Sequence, residues 1–153
     1  MDEIDRIIIS LLQQEGRLPQ SLLAAETGLS QSAVHERLRR LTASGAIKIV
    51  GVADPQAVDL TLLAFVFVGL DRPERDEGFR QAMSAEAAVL ECHHITGDWS
   101  YLLKIRAATV ADLEQVLTDQ IKRQPGVVRS HTMLALSTTK ETHSLPILPT
   151  PKA

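Results

Sequence analysis

Arg37, Arg39 and Arg40 stand almost side by side in a stretch, residues 31–48, whose only carboxylate is Glu36 and which also holds Lys48. Residues 1–30 show the opposite balance, with Arg6 and Arg17 against Asp2, Glu3, Asp5, Glu15 and Glu26. A formal net charge of −3 therefore conceals a separation of charge along the chain, with cations gathered in one short segment as a polyanion partner requires. The neighbouring side chains are of the types that read a duplex. Gln31, Ser32, His35, Glu36 and Arg39 offer donors and acceptors to base edges, Ser30 belongs to the same DNA-binding set at the start of the stretch, and Arg37 and Arg40 on the flank offer charge to phosphates. The plain alternative is a solvated helix face on which the arginines pair with Glu36.

A second conspicuous group is Cys92-His93-His94. On a strand, Cys92 and His94 face one side and His93 the other, so one metal ion does not collect all three without a further ligand such as His131. An interior thiol beside two hydrogen-bonded histidines is the expected arrangement, with no metal and no cofactor. Gly97 is read as a turn glycine, because no glycine-rich loop precedes a helix. No nucleophile with a base, no paired carboxylates and no cofactor motif stand at a recognisable spacing, so an enzyme is not expected. Aromatic residues make up only 3% of the chain, which argues against an RNA-stacking sheet.

Helical elements place the cationic stretch. Ile4, Ile8, Leu11 and Leu12 give residues 2–15 one apolar face, and Gly16 supplies a stop. A second helix starts at Pro19, carries Leu22 and Leu23 inward and ends at Gly28. Ser30 caps a third, on which Val34, Leu38 and Leu41 form the inner stripe before Gly45. Two helices joined by a tight turn, the second with arginines outward, make a helix-turn-helix whose last helix fits the major groove of double-stranded DNA. Residues 46–52 then alternate as a short wing strand, and Asp54-Pro55 turns the chain.

The remainder reads as strand 61–70, helix 72–84, strand 89–96, a Gly97-Asp98 turn, strand 99–106, a helix capped by Thr109, and a strand 127–136 after Pro125-Gly126. Trp99, Tyr101, Leu103 and Ile105 are expected on one face of their strand. This β-α-β-β-α-β order is the split βαβ arrangement, a four-stranded antiparallel sheet with helices on one side. With Phe65 and Phe67 available to the other side, a second copy of the chain is expected to cover it.

The fold class is thus α+β: a winged helix-turn-helix at 1–52, a linker at 53–61, a βαββαβ ferredoxin-like domain at 62–141, and an extended tail at 142–153 with Pro146, Pro149 and Pro151. The 153 residues, 44% apolar and 23% charged, suit such a small globular chain. The apolar run 60–70 is far below the roughly 20 residues of a membrane span. An acidic N-terminus without a cleavable apolar stretch, and a lone Cys92, point to the cytoplasm.

The stretches IDRIIISLLQQEGR, TGLSQSAVHERLRRLTASGAI, the ADP turn and ECHHITGDWSYLLKIR followed by QPGV resemble the Lrp/AsnC (feast/famine) family of prokaryotic transcription regulators over almost the whole chain. The resemblance implies a sequence-specific DNA-binding regulator. Its C-terminal effector-binding domain, often called RAM, dimerises through its sheet and assembles to tetramers or octamers; a symmetric dimer presents two recognition helices to two half-sites, so a pseudo-palindromic operator is expected. It also implies an amino-acid effector held where dimers meet, which carries over to Thr96, Gly97, Asp98 and Ser100, with Val110, Met133 and Leu134 forming or adjoining the cleft. Many amino-acid-responsive relatives have a carboxylate where this sequence has Ser100. Either Asp98 substitutes, or the effector is another small molecule, or there is none. Some similar proteins are sirohaem decarboxylases that use histidines, for which His93, His94 and His131 are the alternative candidates here.

Overall fold

The computed structural model describes residues 1–147, and the chain divides into two units: residues 1–52 with the C-terminal segment from Lys140, and residues 53–139.

In the first unit α1 (Glu3–Gln14) opens with a reciprocal cap in which the Asp2 carboxylate accepts from the Asp5 N–H and the Asp5 carboxylate from the Asp2 N–H. Pro19 precedes α2 (Gln20–Thr27), which ends on Gly28 at φ 69°, a left-handed position suited to glycine. Ser30 Oγ accepts the Ala33 N–H at 3.2 Å and starts α3 (Gln31–Ala43). Ile8, Ile9, Leu12, Leu23, Val34, Leu41 and Ile47 form the core between the three helices.

Three details differ from expectation. Leu22 is half-exposed, because on a helix of this length only Leu23 and Ala24 reach the centre. Residues 46–52 form no strand among the described residues, since nothing in this unit offers them a ladder partner, and Ile49, Val50 and Val52 are exposed. The tail through Ile147 docks: the Gln13 amide donates to the Leu145 carbonyl and accepts the Leu145 N–H at 2.6 Å, imitating a strand neighbour. Ile147 packs on the helical core. Pro149 and Pro151 lie outside the described residues.

The second unit contains β1 (Leu62–Leu70), a 3₁₀ turn at Pro73–Arg75, α4 (Asp76–Ala85), β2 (Val89–His94), β3 (Tyr101–Ala107), α5 (Val110–Gln115) continuing as a π-helical segment Val116–Lys122, and β4 (Val127–Leu134). The sheet order is β2-β3-β1-β4, antiparallel throughout. Thr109 and Asp112 cap α5 reciprocally. Ala64, Val66, Val68, Tyr101, Leu103 and Ile105 face Phe79 and Met83 of α4 and Leu113 and Ile121 beyond, and all are buried. Phe65, Phe67, Leu102, Lys104, His131 and Met133 take the alternate positions of these strands, on the face without helices.

Trp99 is the exception to the expected alternation. It precedes the regular part of β3, and instead of joining Tyr101 in the core it stands 5.9 Å from the Phe67 ring, on the helix-free face. Gly69 makes this possible: a Cβ there would come within 2.8 Å of Arg129 Cγ, so its absence lets Arg129 cross the sheet and place its guanidinium 4.4 Å over the Trp99 ring.

Candidate functional site

On α3 the inner stripe Val34, Leu38 and Leu41 faces the core, so Gln31, Ser32, His35, Glu36 and Arg39 are exposed together. Ser30 lies at the helix N-terminus with its Oγ 3.0 Å from Ser32 Oγ. His35 Nδ1 lies 3.4 Å from the Gln20 amide of α2, which steadies that edge. Arg39 pairs with Glu36 one turn back, Nη2 to Oε1 at 2.7 Å, with both side chains open to solvent. The arginine's hydrogen bond holds the Glu36 carboxyl below its ordinary range, and the pair leaves a planar polar fork on the exposed surface.

Arg37 and Arg40 depart from expectation. Arg37 Nη1 lies 2.7 Å from both Asp2 Oδ2 and Asp5 Oδ1, and Arg40 Nη2 lies 2.8 Å from both Asp5 oxygens. Both guanidinium groups are engaged by carboxylates at the start of α1, where Asp5 is buried, although the Arg40 side chain stays 58% exposed. Asp2 and Asp5 are neighbours of this surface that sequence reasoning did not connect with it. Their spacing announces a helix cap, but their pairing with arginines more than thirty positions away is visible only in the fold.

Burial pushes the Asp5 carboxyl up, and the Arg37 hydrogen bond with the Asp2 N–H more than reverses this, leaving it below the ordinary 3.8. The unfolded chain therefore takes up the proton first as pH falls. The stability Asp5 contributes is whole above its unfolded value and is lost as pH drops through the lowered folded one. Thermal melts between pH ~5 and ~2 are expected to show the helical unit weakening over this window, with a shallower fall in Asp5→Asn; identical pH profiles would contradict the assignment.

The effector candidates fall into two groups. Thr96, Gly97 and Asp98 form an exposed turn, Gly97 at φ 103°. Ser100 pins that turn to the sheet: its N–H donates to the Val68 carbonyl, its carbonyl accepts the Ile95 N–H, and its Oγ accepts the Leu70 N–H at 3.0 Å. The hydroxyl proton is left for a further acceptor. Arg129, which sequence reasoning did not single out, donates to the Asp98 carbonyl and brings a cation beside the turn. Val110, exposed at the start of α5, lies at the opposite end of the sheet with Met133 and Leu134, which pair with Phe65 and Ala64. Four to six residues of strand separate the groups, roughly 15–20 Å. A single chain does not bring all seven around one small molecule.

Cys92 and His94 lie on the helix side of β2, where His94 stacks on Tyr101 at 5.0 Å and burial pushes the Cys92 thiol up. His93 pairs with Glu91 on the other face, and His131 sits on β4 at the far edge of the sheet. The three histidines do not converge as a tetrapyrrole or shared metal site needs.

The description "winged helix-turn-helix DNA-binding" matches residues 1–48, and "Lrp/AsnC ligand binding domain" matches residues 63–145. The chain belongs to the Lrp/AsnC family. HTH-type transcriptional regulator FL11 of Pyrococcus horikoshii is 38% identical over 148 residues, covering 96% of this chain and 97% of its own length. The leucine-responsive regulatory protein of Escherichia coli K12 is 34% identical over 150 residues, covering 96% and 92%. The transcriptional regulator NMB0573 of Neisseria meningitidis, solved as an L-Met complex, superposes with a TM-score of 0.87 at 28% identity over 95% of this chain and 96% of that one. As an Lrp/AsnC protein the chain is a DNA-binding transcription regulator with a winged helix-turn-helix and a ferredoxin-like ligand-binding domain. Among the described residues no helix is long and apolar enough to cross a membrane.

Proposed function

We propose that this Lrp/AsnC regulator acts as a symmetric homodimer whose two sheets pair through their helix-free faces, presenting two copies of α3 to the half-sites of a pseudo-palindromic operator. The observation that carries this is the face itself. Phe67 and Trp99 stand 5.9 Å apart there, with Phe65, Leu102 and Met133 on the same side, an aromatic and aliphatic face that no helix of the unit covers among the described residues. Base-edge contacts come from Gln31, Ser32, His35, Glu36 and Arg39, with Ser30 and the α3 N-terminus turned to a phosphate.

We further infer that an amino acid or related small molecule binds where dimers meet. Its polar end meets Thr96, Gly97, Asp98 and Ser100 of one chain, and Val110, Met133 and Leu134 come from another, since one chain holds these groups at opposite ends of its sheet. The relative solved with L-Met supports this class of ligand. An effector preferring one assembly by ~1–3 kcal/mol changes DNA occupancy from about fivefold to about a hundredfold.

Light scattering during a screen of the twenty amino acids tests the reading. One ligand is expected to shift the assembly mass and the affinity for a selected operator together; no shift in either with any ligand removes the amino-acid effector. Arg39→Ala is expected to reduce the preference for that operator over mixed-sequence DNA by roughly fivefold to a hundredfold. An unchanged preference places the base contacts elsewhere.

A further inference from the structure

The helical unit is electrically balanced although its third helix is arginine-rich. Residues 1–52 hold Arg6, Arg17, Arg37, Arg39, Arg40 and Lys48 against Asp2, Glu3, Asp5, Glu15, Glu26 and Glu36. On α3 the balance is local, since every arginine has a carboxylate within 2.8 Å. The three pairs are not alike. Arg39 and Glu36 are both exposed and belong to the same helix, so a duplex can part them at little cost. Arg37 and Arg40 share Asp5, whose side chain is 2% exposed and which belongs to α1.

Asp5 is placed so that it cannot exchange its partners for water. Taking both arginines away leaves an ionised carboxylate in a site shielded from solvent, which is the costly way to break a buried pair. Each arginine engages through a single terminal nitrogen, Arg40 Nη2 shared between both Asp5 oxygens and Arg37 Nη1 between Asp5 and Asp2, and these charge-assisted hydrogen bonds fix orientation as well as charge. Both lie on the flank of α3 beside its exposed face, where the phosphate backbone passes a helix seated in the major groove. Set free there, they would each add a phosphate contact, which strengthens binding to any sequence and carries no sequence information.

We propose that Asp5 is a positioning residue for DNA discrimination: by holding the guanidinium groups of Arg37 and Arg40 it withholds two of the three α3 cations from the phosphates. Binding to bulk DNA stays weak, and operator recognition rests on the exposed polar face. The N-terminal turn of α1 thereby sets specificity without touching the duplex.

The test is the salt dependence of the full-length protein's affinity for a mixed-sequence duplex between about 50 and 200 mM salt. Asp5→Asn, checked as folded by circular dichroism, is expected to steepen the slope of log K against log salt by about 1–2 for each DNA-binding unit engaged. Its non-specific binding at low salt should tighten by about tenfold or more, narrowing the operator preference. Adding Arg37→Gln and Arg40→Gln to that variant should return the slope to the wild-type value. Arg40→Gln alone should leave the slope unchanged. A folded Asp5→Asn with unchanged slope, or weakened equally on all DNA, makes Asp5 a structural residue only and overturns the proposal. An Arg40→Gln slope shallower by about one shows that Arg40 already reaches a phosphate and overturns it too, including when Asp5→Asn does not fold. The proposal rests on the reading of α3 as the DNA-contacting helix, and wild-type protein that binds no duplex at any salt would overturn that reading and the proposal with it, a result distinct from an unchanged slope.

Discussion

Phe67→Glu is expected to yield a folded monomer whose affinity for a selected operator is lower by about a hundredfold or more. Phe67 lies in the middle of β1 and points away from the helices, while its neighbours Val66 and Val68 are fully buried in the core. The substitution therefore leaves the packed side of the sheet untouched. On the other side it sets a carboxylate between Trp99, 5.9 Å away, and the His131 ring, 6.4 Å away, where a second copy is proposed to seat. Desolvating that charge against an apolar partner surface costs several kcal/mol. Once the pair separates, each recognition helix binds its half-site alone, and the effective concentration that joins two sites is forfeited, typically a factor of about 10²–10⁴. Sedimentation and fluorescence anisotropy on the same sample measure both parts. A variant that remains dimeric with undiminished affinity rejects pairing through this face.

Ile8→Ala is expected to abolish DNA binding while leaving the sheet unit folded and dimeric. Ile8 is 0% exposed and sits where α1 meets the other two helices. Removing so much buried aliphatic volume costs about 2–5 kcal/mol, the spread reflecting how far the site collapses. A small three-helix core holds only of the order of several kcal/mol in all, so most of the unit's margin disappears. The sheet unit has its own core around Val66, Leu103, Ile105 and Phe79, with no residue in common. Calorimetry should show the transition of the helical unit moving to lower temperature, with the other in place. A single transition that moves as a whole would show the units melting as one.

The same separation explains how much was legible beforehand. The Ser30 cap, the Gly28 stop and the Val34, Leu38, Leu41 stripe specify α3 within fourteen residues, and Thr109 with Asp112 specifies the start of α5 in four. Such signals are complete on the page because helix caps and side-chain periods are short-range. The order of strands and helices followed from them, and the exposed set Gln31, Ser32, His35, Glu36 and Arg39 followed from the helical period alone. Trp99 departs from the alternation because it lies two residues before the regular part of β3, where the chain still turns.

From sequence alone came the elements, their order, the family pattern and the face of α3 open to a duplex, since each depends on residues within a few turns of one another. Tertiary structure alone decided that Asp5 holds Arg37 and Arg40, that Arg129 reaches the Asp98 turn, that Gln13 receives the tail, and that the effector candidates stand at two ends of one sheet. Those pairings join side chains about 30 to 130 positions apart. No local period encodes them; they exist only once packing has brought the partners within a few ångströms, where burial and charge select which bonds are kept.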